Sequence, residues 1–284
     1  MEETPIIIPK KDPLAPLRFM EFRAYMGMRF FFTFAIQMQA VVIGFYIYQV
    51  TGDKLALGLI GLAEAVPAIG IALYGGYLAD KSEKKGLLLK IYLSVLLCSS
   101  IIALLVFGLI TNMGQDLMII LIYVMIFAMG MARGFLGPAT FSIMGKVVPR
   151  ELYPRAATWS SSTWQTATII GALTGGISYG FYGIRVTYII IVGLLGLALA
   201  SAAFLKRHPA TFIPTESISK SLKEGITFVF KNKMMLGAMS LDLFSVFFGG
   251  AVALLPVFAN DILKVGPQGL GLMRAAVSLG SVLT

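Results

Sequence analysis

The sequence holds one cysteine, Cys98, and one histidine, His208, among 284 residues. An internal disulfide is therefore impossible, and a Cys/His site for structural zinc or an iron–sulfur cluster has too few members. Charge is also scarce. Asp, Glu, Lys and Arg make up 13% of the chain, against about 25% in a soluble domain. Hydrophobic residues take up 57%, against roughly 45–50% in such a domain, which excludes a water-soluble globule. No His/Cys/acid cluster suits catalysis. The nearest phosphate-loop candidate, Gly75 and Gly76 with the lysines after them, follows a spanning helix instead of a strand. Neither an enzyme nor a cofactor is expected. Met1 to Met20 carries Pro5, Pro9, Pro13 and Pro16 among charges, with no apolar core. It does not resemble a secretory signal and reads as a cytoplasmic tail.

What is present is a series of apolar runs: 24–50, 55–79, 87–110, 117–145, 156–180, 186–205 and 234–259, with another beginning near Gln268. Each is long enough for a helix to cross a bilayer, which takes about 20 residues. The fold class is thus an all-α polytopic membrane protein, with the lipid bilayer as its first partner. The formal net charge of +9 could suggest nucleic acid, but the placement of the basic residues argues otherwise. Of 23 Lys and Arg, 17 fall in the segments 10–23, 81–90, 146–155 and 206–233. Three, Lys54, Arg185 and Lys264, fall in the alternate connections, and Arg29, Arg133 and Arg274 lie inside spans. By the positive-inside rule the N-terminus is cytoplasmic, and the plasma (inner) membrane is the expected location. No nucleic-acid partner is implied.

Four regions follow from this reading: a tail over 1–23, a six-helix bundle over 24–205, a cytoplasmic linker over 206–233 and the start of a second bundle over 234–284. In the linker, Leu222, Ile226, Val229 and Phe230 fall at helical spacing between lysines, which predicts an amphipathic helix on the membrane surface. A short internal match, Leu57-Gly58-Leu59 against Leu270-Gly271-Leu272, sets the seventh and eighth spans in register with the first and second. Two parallel six-helix halves are the expected architecture, a known transporter design. The second half would be completed by four further spans, the missing partner of the bundle seen here.

Candidate functional residues lie within and between the spans. Gly75 and Gly76 leave room for another backbone, and Asp80 then sets an acid at a helix exit, against the dipole, ahead of Lys81, Lys84 and Lys85. Glu64 sits about 14 Å into the second span at 1.5 Å per residue. Gly61, Ala68, Ala72, Gly75 and Ala79 form a small-residue stripe with it. An acid at that depth is expected to face other helices and to ionise only when water or a cation arrives, the behaviour a proton carrier requires. A neutral Glu64 holding helices together is the alternative. Asp242, Arg133 and Arg29 fall in the cytoplasmic half of their spans and could share one vestibule, with Asp242 a second proton-coupling candidate; Arg29 could equally snorkel to the interface. Gln37 and Gln39 point about 200° apart, so only one can face a pathway. Ala167, Gly171, Gly175 and Gly176 form a further stripe for close helix contact.

Gly76-Tyr-Leu-Ala-Asp80-Lys-Ser-Glu-Lys-Lys85 resembles the loop signature G-x-L-A-D-(R/K)-x-(G/E)-(R/K)-(R/K) of the major facilitator superfamily. Leu57-Gly-Leu59, Pro67 and Lys223-Glu-Gly-Ile-Thr-Phe228 are similar to its drug and siderophore exporter branch, which includes the enterobactin exporter. Gly171-Ala-Leu-Thr-Gly-Gly176 resembles the antiporter signature G-P-x-x-G-G, with Ala172 in place of Pro. The resemblance implies twelve spans, of which about seven and a half are here. It makes Asp80, Lys81, Lys84 and Lys85 an inner gate and brings the first, fourth and seventh spans to a central path. Proton-coupled export of amphipathic or siderophore-like small molecules by alternating access is the function it implies. A lipid or lysophospholipid flippase on the same fold, and a nontransporting scaffold, are the alternatives.

Overall fold

The computed structural model describes residues 12–109, 114–208 and 227–283. Among these residues the secondary structure is helical throughout. The main helices are α1 (Met20–Thr51), α2 (Lys54–Lys81), α3 (Lys84–Phe107), α4 (Gln115–Val147), α5 (Tyr153–Ala203), α6 (Lys233–Phe248) and α7 (Gly266–Leu283). The first five are long and apolar enough to cross a membrane. At 51 residues, α5 has the length for two passes. Its backbone leaves the helical region at Gly183, where φ is 73° and ψ 178°. That backbone is open to glycine at little cost, so the fifth and sixth predicted spans turn back on each other there without a separate loop. Gly52, at φ 63°, ends α1, and the side chain of Asp53 then accepts the Leu55 N–H at 2.9 Å to start α2.

The helices pack as two interlocked pairs. α1 lies in the groove between the two arms of α5, with Gly171 and Gly175 seated on Phe34, Gln37 and Met38 and with Gly27 against Ser201. α2 lies along α4, and α3 bridges α4 and the second arm of α5. A core of Phe22, Tyr25, Met28, Tyr92, Ile102, Ile122, Ile143, Tyr188 and Ile191 holds this arrangement. The outward faces present Leu59, Leu62, Val66, Leu97, Phe127 and Ile189. A large apolar exterior over a closely packed interior suits hydrocarbon as the surrounding solvent.

The seventh predicted span departs from the expected unbroken helix over 234–259. α6 ends at Phe248, and a 3-10 segment (Gly249–Leu254), one turn (Leu255–Val257) and a π-helical turn (Phe258–Ile262) follow it. Gly249 and Gly250 lower the helix propensity, and Pro256 removes a backbone donor, so the regular ladder cannot run through. α7 returns against the first arm of α5, where Gly271 and Gly176 meet backbone to backbone. Residues 227–231 are helical, while the rest of the predicted amphipathic helix, including Leu222 and Ile226, lies outside the described residues.

Candidate functional site: an ion-paired cavity between α1, α2, α4 and α5

Proline and glycine set the closest approach in the bundle. Pro67 in α2 and the backbone of Glu64 rest on Gly130 of α4, and one turn later Ala68 and Ile71 rest on Gly134. Gly75 then meets Gly134 and Phe135. These contacts place the Glu64 side chain beside Arg133, which lies on the turn between the two α4 glycines. The two form an ion pair, each side chain 37% exposed. Gly61, expected on the same packing stripe, meets no neighbour within 4 Å and borders the opening beside the pair; Ala72 is exposed.

Three adjoining hollows meet at Arg133. The one that reaches α5, about 290 Å³, is lined by Arg29, Thr33, Gln37, Tyr92, Thr140 and Trp164 together with apolar residues. A narrower one runs past Ile36, Gln39, Met129 and Glu64, and a third opens at Gly61, Ala65 and Ala68. The two glutamines border different hollows. Gln37 lines the one that reaches α5, with its amide 3.5 Å from the Thr168 hydroxyl. Gln39 is 5% exposed and tied into a knot: the Ser99 hydroxyl donates to its Oε1 at 2.8 Å, and its amide lies 3.4 Å from the Met129 sulfur. Arg29 lines the hollow that reaches α5 and donates to the Tyr25 hydroxyl at 3.3 Å, while its Nε is enclosed without a hydrogen bond. Arg29 and Arg133 thus line one hollow. Asp242 does not line it: this acid is exposed on α6, and Arg133 has Glu64 as its acidic neighbour.

At the other candidate site, the α2–α3 turn, two of the three lysines serve helix ends. Lys84 is 1% exposed and donates to the carbonyl of Ala79; Lys85 donates to the carbonyl of Ala203 at 2.6 Å. Ammonium groups at helix C-termini answer both the open carbonyls and the negative end of the dipole. Lys81 is exposed, Gly76 stands in open space, and Asp80 lies on the last turn of α2 with its side chain outside the described residues. His208 joins this end of the bundle through Glu21, at 2.5 Å. No group of three His, Cys, Asp or Glu fit for a metal occurs among the described residues.

Sequence reasoning did not find the Ser99–Gln39–Met129 knot, nor the Tyr48 hydroxyl bonded to Asp261 at the opposite end of the bundle. Gly130 and Gly134, four apart and flanking Arg133, were the available signal for the α2–α4 contact.

The fold and cavity define a multi-pass helical membrane protein with a charged, partly exposed centre. Residues 25–284 match the model of the Major Facilitator Superfamily, and the chain belongs to that family. It is also similar to macrolide efflux protein A of Streptococcus pyogenes, and to the same-named protein of its serotype M6 strain. Each is 20% identical over 260 residues, covering 88% of this chain and 61% of the relative. The chain therefore spans about three fifths of the length of the curated relatives it matches. These comparisons support the superfamily and not the enterobactin-exporter branch that Leu57–Leu59 and Lys223–Phe228 resemble; residues 223–226 lie outside the described residues.

Proposed function

We propose that the protein takes part in secondary active export of amphipathic small molecules, driven by protons entering through the Glu64–Arg133 pair, with its N-terminus on the cytoplasmic side. The observation that carries this reading is the position of the pair. It lies deep in the second and fourth spans, yet borders hollows open enough to admit water or a cation. An ion pair in that setting has two protonation states. Ionised, Glu64 neutralises Arg133; protonated, it releases the guanidinium to another partner. Coupling those states to rocking of the helices would give alternating access. Each proton moving down 100 mV supplies about 2.3 kcal/mol. The macrolide efflux relatives support export as the direction. Family membership argues for transport over enzymatic activity.

Asp80, Lys81, Lys84 and Lys85 remain the proposed inner gate, with Lys84 and Lys85 acting through the helix ends they cap. The test is efflux from proteoliposomes of the full-length protein under an imposed pH gradient. Glu64→Gln is expected to abolish the gradient dependence and leave downhill movement of the same solute. Undiminished gradient-driven efflux in that variant would remove Glu64 from the mechanism. Movement of a lipid reporter independent of any gradient would replace export of solutes with lipid transport.

A further inference from the structure

Charge in the central cavity does not balance. Of the two arginines on the walls of the 290 Å³ hollow, Arg133 is matched by Glu64, and Arg29 has no carboxylate within ion-pairing distance among the described residues. Its polar contact is the Tyr25 hydroxyl, and its Nε is enclosed and unbonded. Among the described residues the charged groups on and beside the walls of this hollow are thus two guanidiniums and one carboxylate. A cation without a carboxylate partner on the wall of such a hollow attracts an anionic counter-ion.

We propose that the hollow between α1, α4 and α5 binds the anionic head of an amphipathic organic molecule, with Arg29 as its counter-ion. The proposal deepens the export reading by naming the chemical class of the substrate. A guanidinium offers a planar fork of donors suited to carboxylate, sulfonate or phosphate oxygens. The remaining walls suit the rest of such a molecule: Phe32, Ile36, Leu136, Tyr92 and Trp164 present apolar and aromatic surface. The polar groups beside them are largely engaged. The Thr140 hydroxyl donates to carbonyls of its own helix, and the Gln37 amide lies toward Thr168. Arg29 therefore dominates recognition of the head. A cationic ligand would have to rely on the ring faces of Tyr92 and Trp164 against the field of Arg29.

Trp164 supplies the readout. The chain has two tryptophans, Trp159 and Trp164. Trp159 donates to the carbonyl of Pro13 outside this hollow, so Trp159→Phe leaves a reporter on the wall of the site. The full chain carrying that change, in neutral phosphatidylcholine nanodiscs, is titrated with 1-octanesulfonate and with octyltrimethylammonium, which share a tail and differ in the sign of charge. The sulfonate is expected to shift Trp164 emission saturably, with half-saturation at least about tenfold tighter than the ammonium. Arg29→Gln is expected to weaken sulfonate binding about tenfold or more, and Arg29→Lys by about threefold or less. Equal or tighter binding of the ammonium, no saturable response to the sulfonate, or an Arg29→Gln protein that binds the sulfonate unchanged would each overturn the proposal. Should Arg29→Gln fail to fold, the comparison of the two probes on the Arg29 protein decides. Absence of gradient-driven efflux with sulfonate binding intact would defeat the export reading and leave the binding site standing.

Discussion

Replacing Gly130 by alanine isolates the contact that builds the site. A Cβ at that position would run into the carbonyl oxygen of Glu64 and lie 2.8 Å from Cγ of Pro67 and 3.2 Å from the Glu64 carbonyl carbon. All three belong to backbone or to a ring, so none can swing aside, and α2 must move off α4. Overpacking of this kind costs about 1–3 kcal/mol. Alanine in a helix interior returns roughly 0.5–1 kcal/mol by reducing the freedom of the unfolded chain. Gly137, two turns along the same helix, has nothing within 4 Å of the equivalent position. Gly137→Ala therefore collects the gain without the clash, and the gap between the two variants is the overpacking cost alone, about 1–3 kcal/mol. Unfolding in mixed micelles with increasing dodecyl sulfate, followed by circular dichroism, measures both. Because the shift falls on the Glu64 carbonyl, Gly130→Ala should also lose gradient-driven efflux. Equal stability of the two proteins would show that α2 and α4 do not meet at Pro67 and Gly130, and the ion pair would lose its structural basis.

Three further outcomes are expected. In a double-mutant cycle of Glu64→Gln and Arg133→Gln, the coupling should be about 1–3 kcal/mol, below that of a fully buried pair because both side chains are 37% exposed; additive single effects would mean that the pair does not form. Ser99→Ala should cost about 1–3 kcal/mol, since Oε1 of the buried Gln39 loses its donor, and the double variant Ser99→Ala, Gln39→Leu should recover much of that loss in the same unfolding assay. At the opposite end, the Tyr48 hydroxyl and then the Asn260 amide hold the Asp261 carboxyl below the usual carboxylate range, with Lys54 adding a smaller pull. A carboxylate with a lowered folded pKa stabilises above its unfolded value and loses that contribution as pH falls through the folded one. The difference in thermal unfolding between the parent and Tyr48→Phe should thus be constant from pH 5 to 8 and shrink only below about pH 4; a difference that disappears near pH 6 would rule out Asp261 as the group responsible.

The parts of this molecule that sequence alone discloses are those fixed by one segment and its solvent. Apolar runs of about 20 residues mark the crossings because a bilayer leaves an unpaired backbone no partner but its own helix. Gln37 and Gln39 are set about 200° apart by the 100° step of one helix, and they border different hollows, Gln39 while bonded to Ser99. The break after Phe248 was less legible. Its glycines and Pro256 are visible, but a transmembrane helix can absorb both residue types when its neighbours satisfy the freed groups. Partner choice is harder still, since it depends on the rotation of one helix against another. Counting residues places Asp242, Arg29 and Arg133 at similar depth, and depth alone makes Asp242 as good a neighbour for Arg133 as Glu64. What separates them is the contact of Pro67 and Ala68 with Gly130 and Gly134, which turns the Glu64 face of α2 toward α4. Small residues that carry no charge therefore determine which charges meet, and a search for function among ionisable residues gains most from asking first where the glycines of the adjoining helix fall.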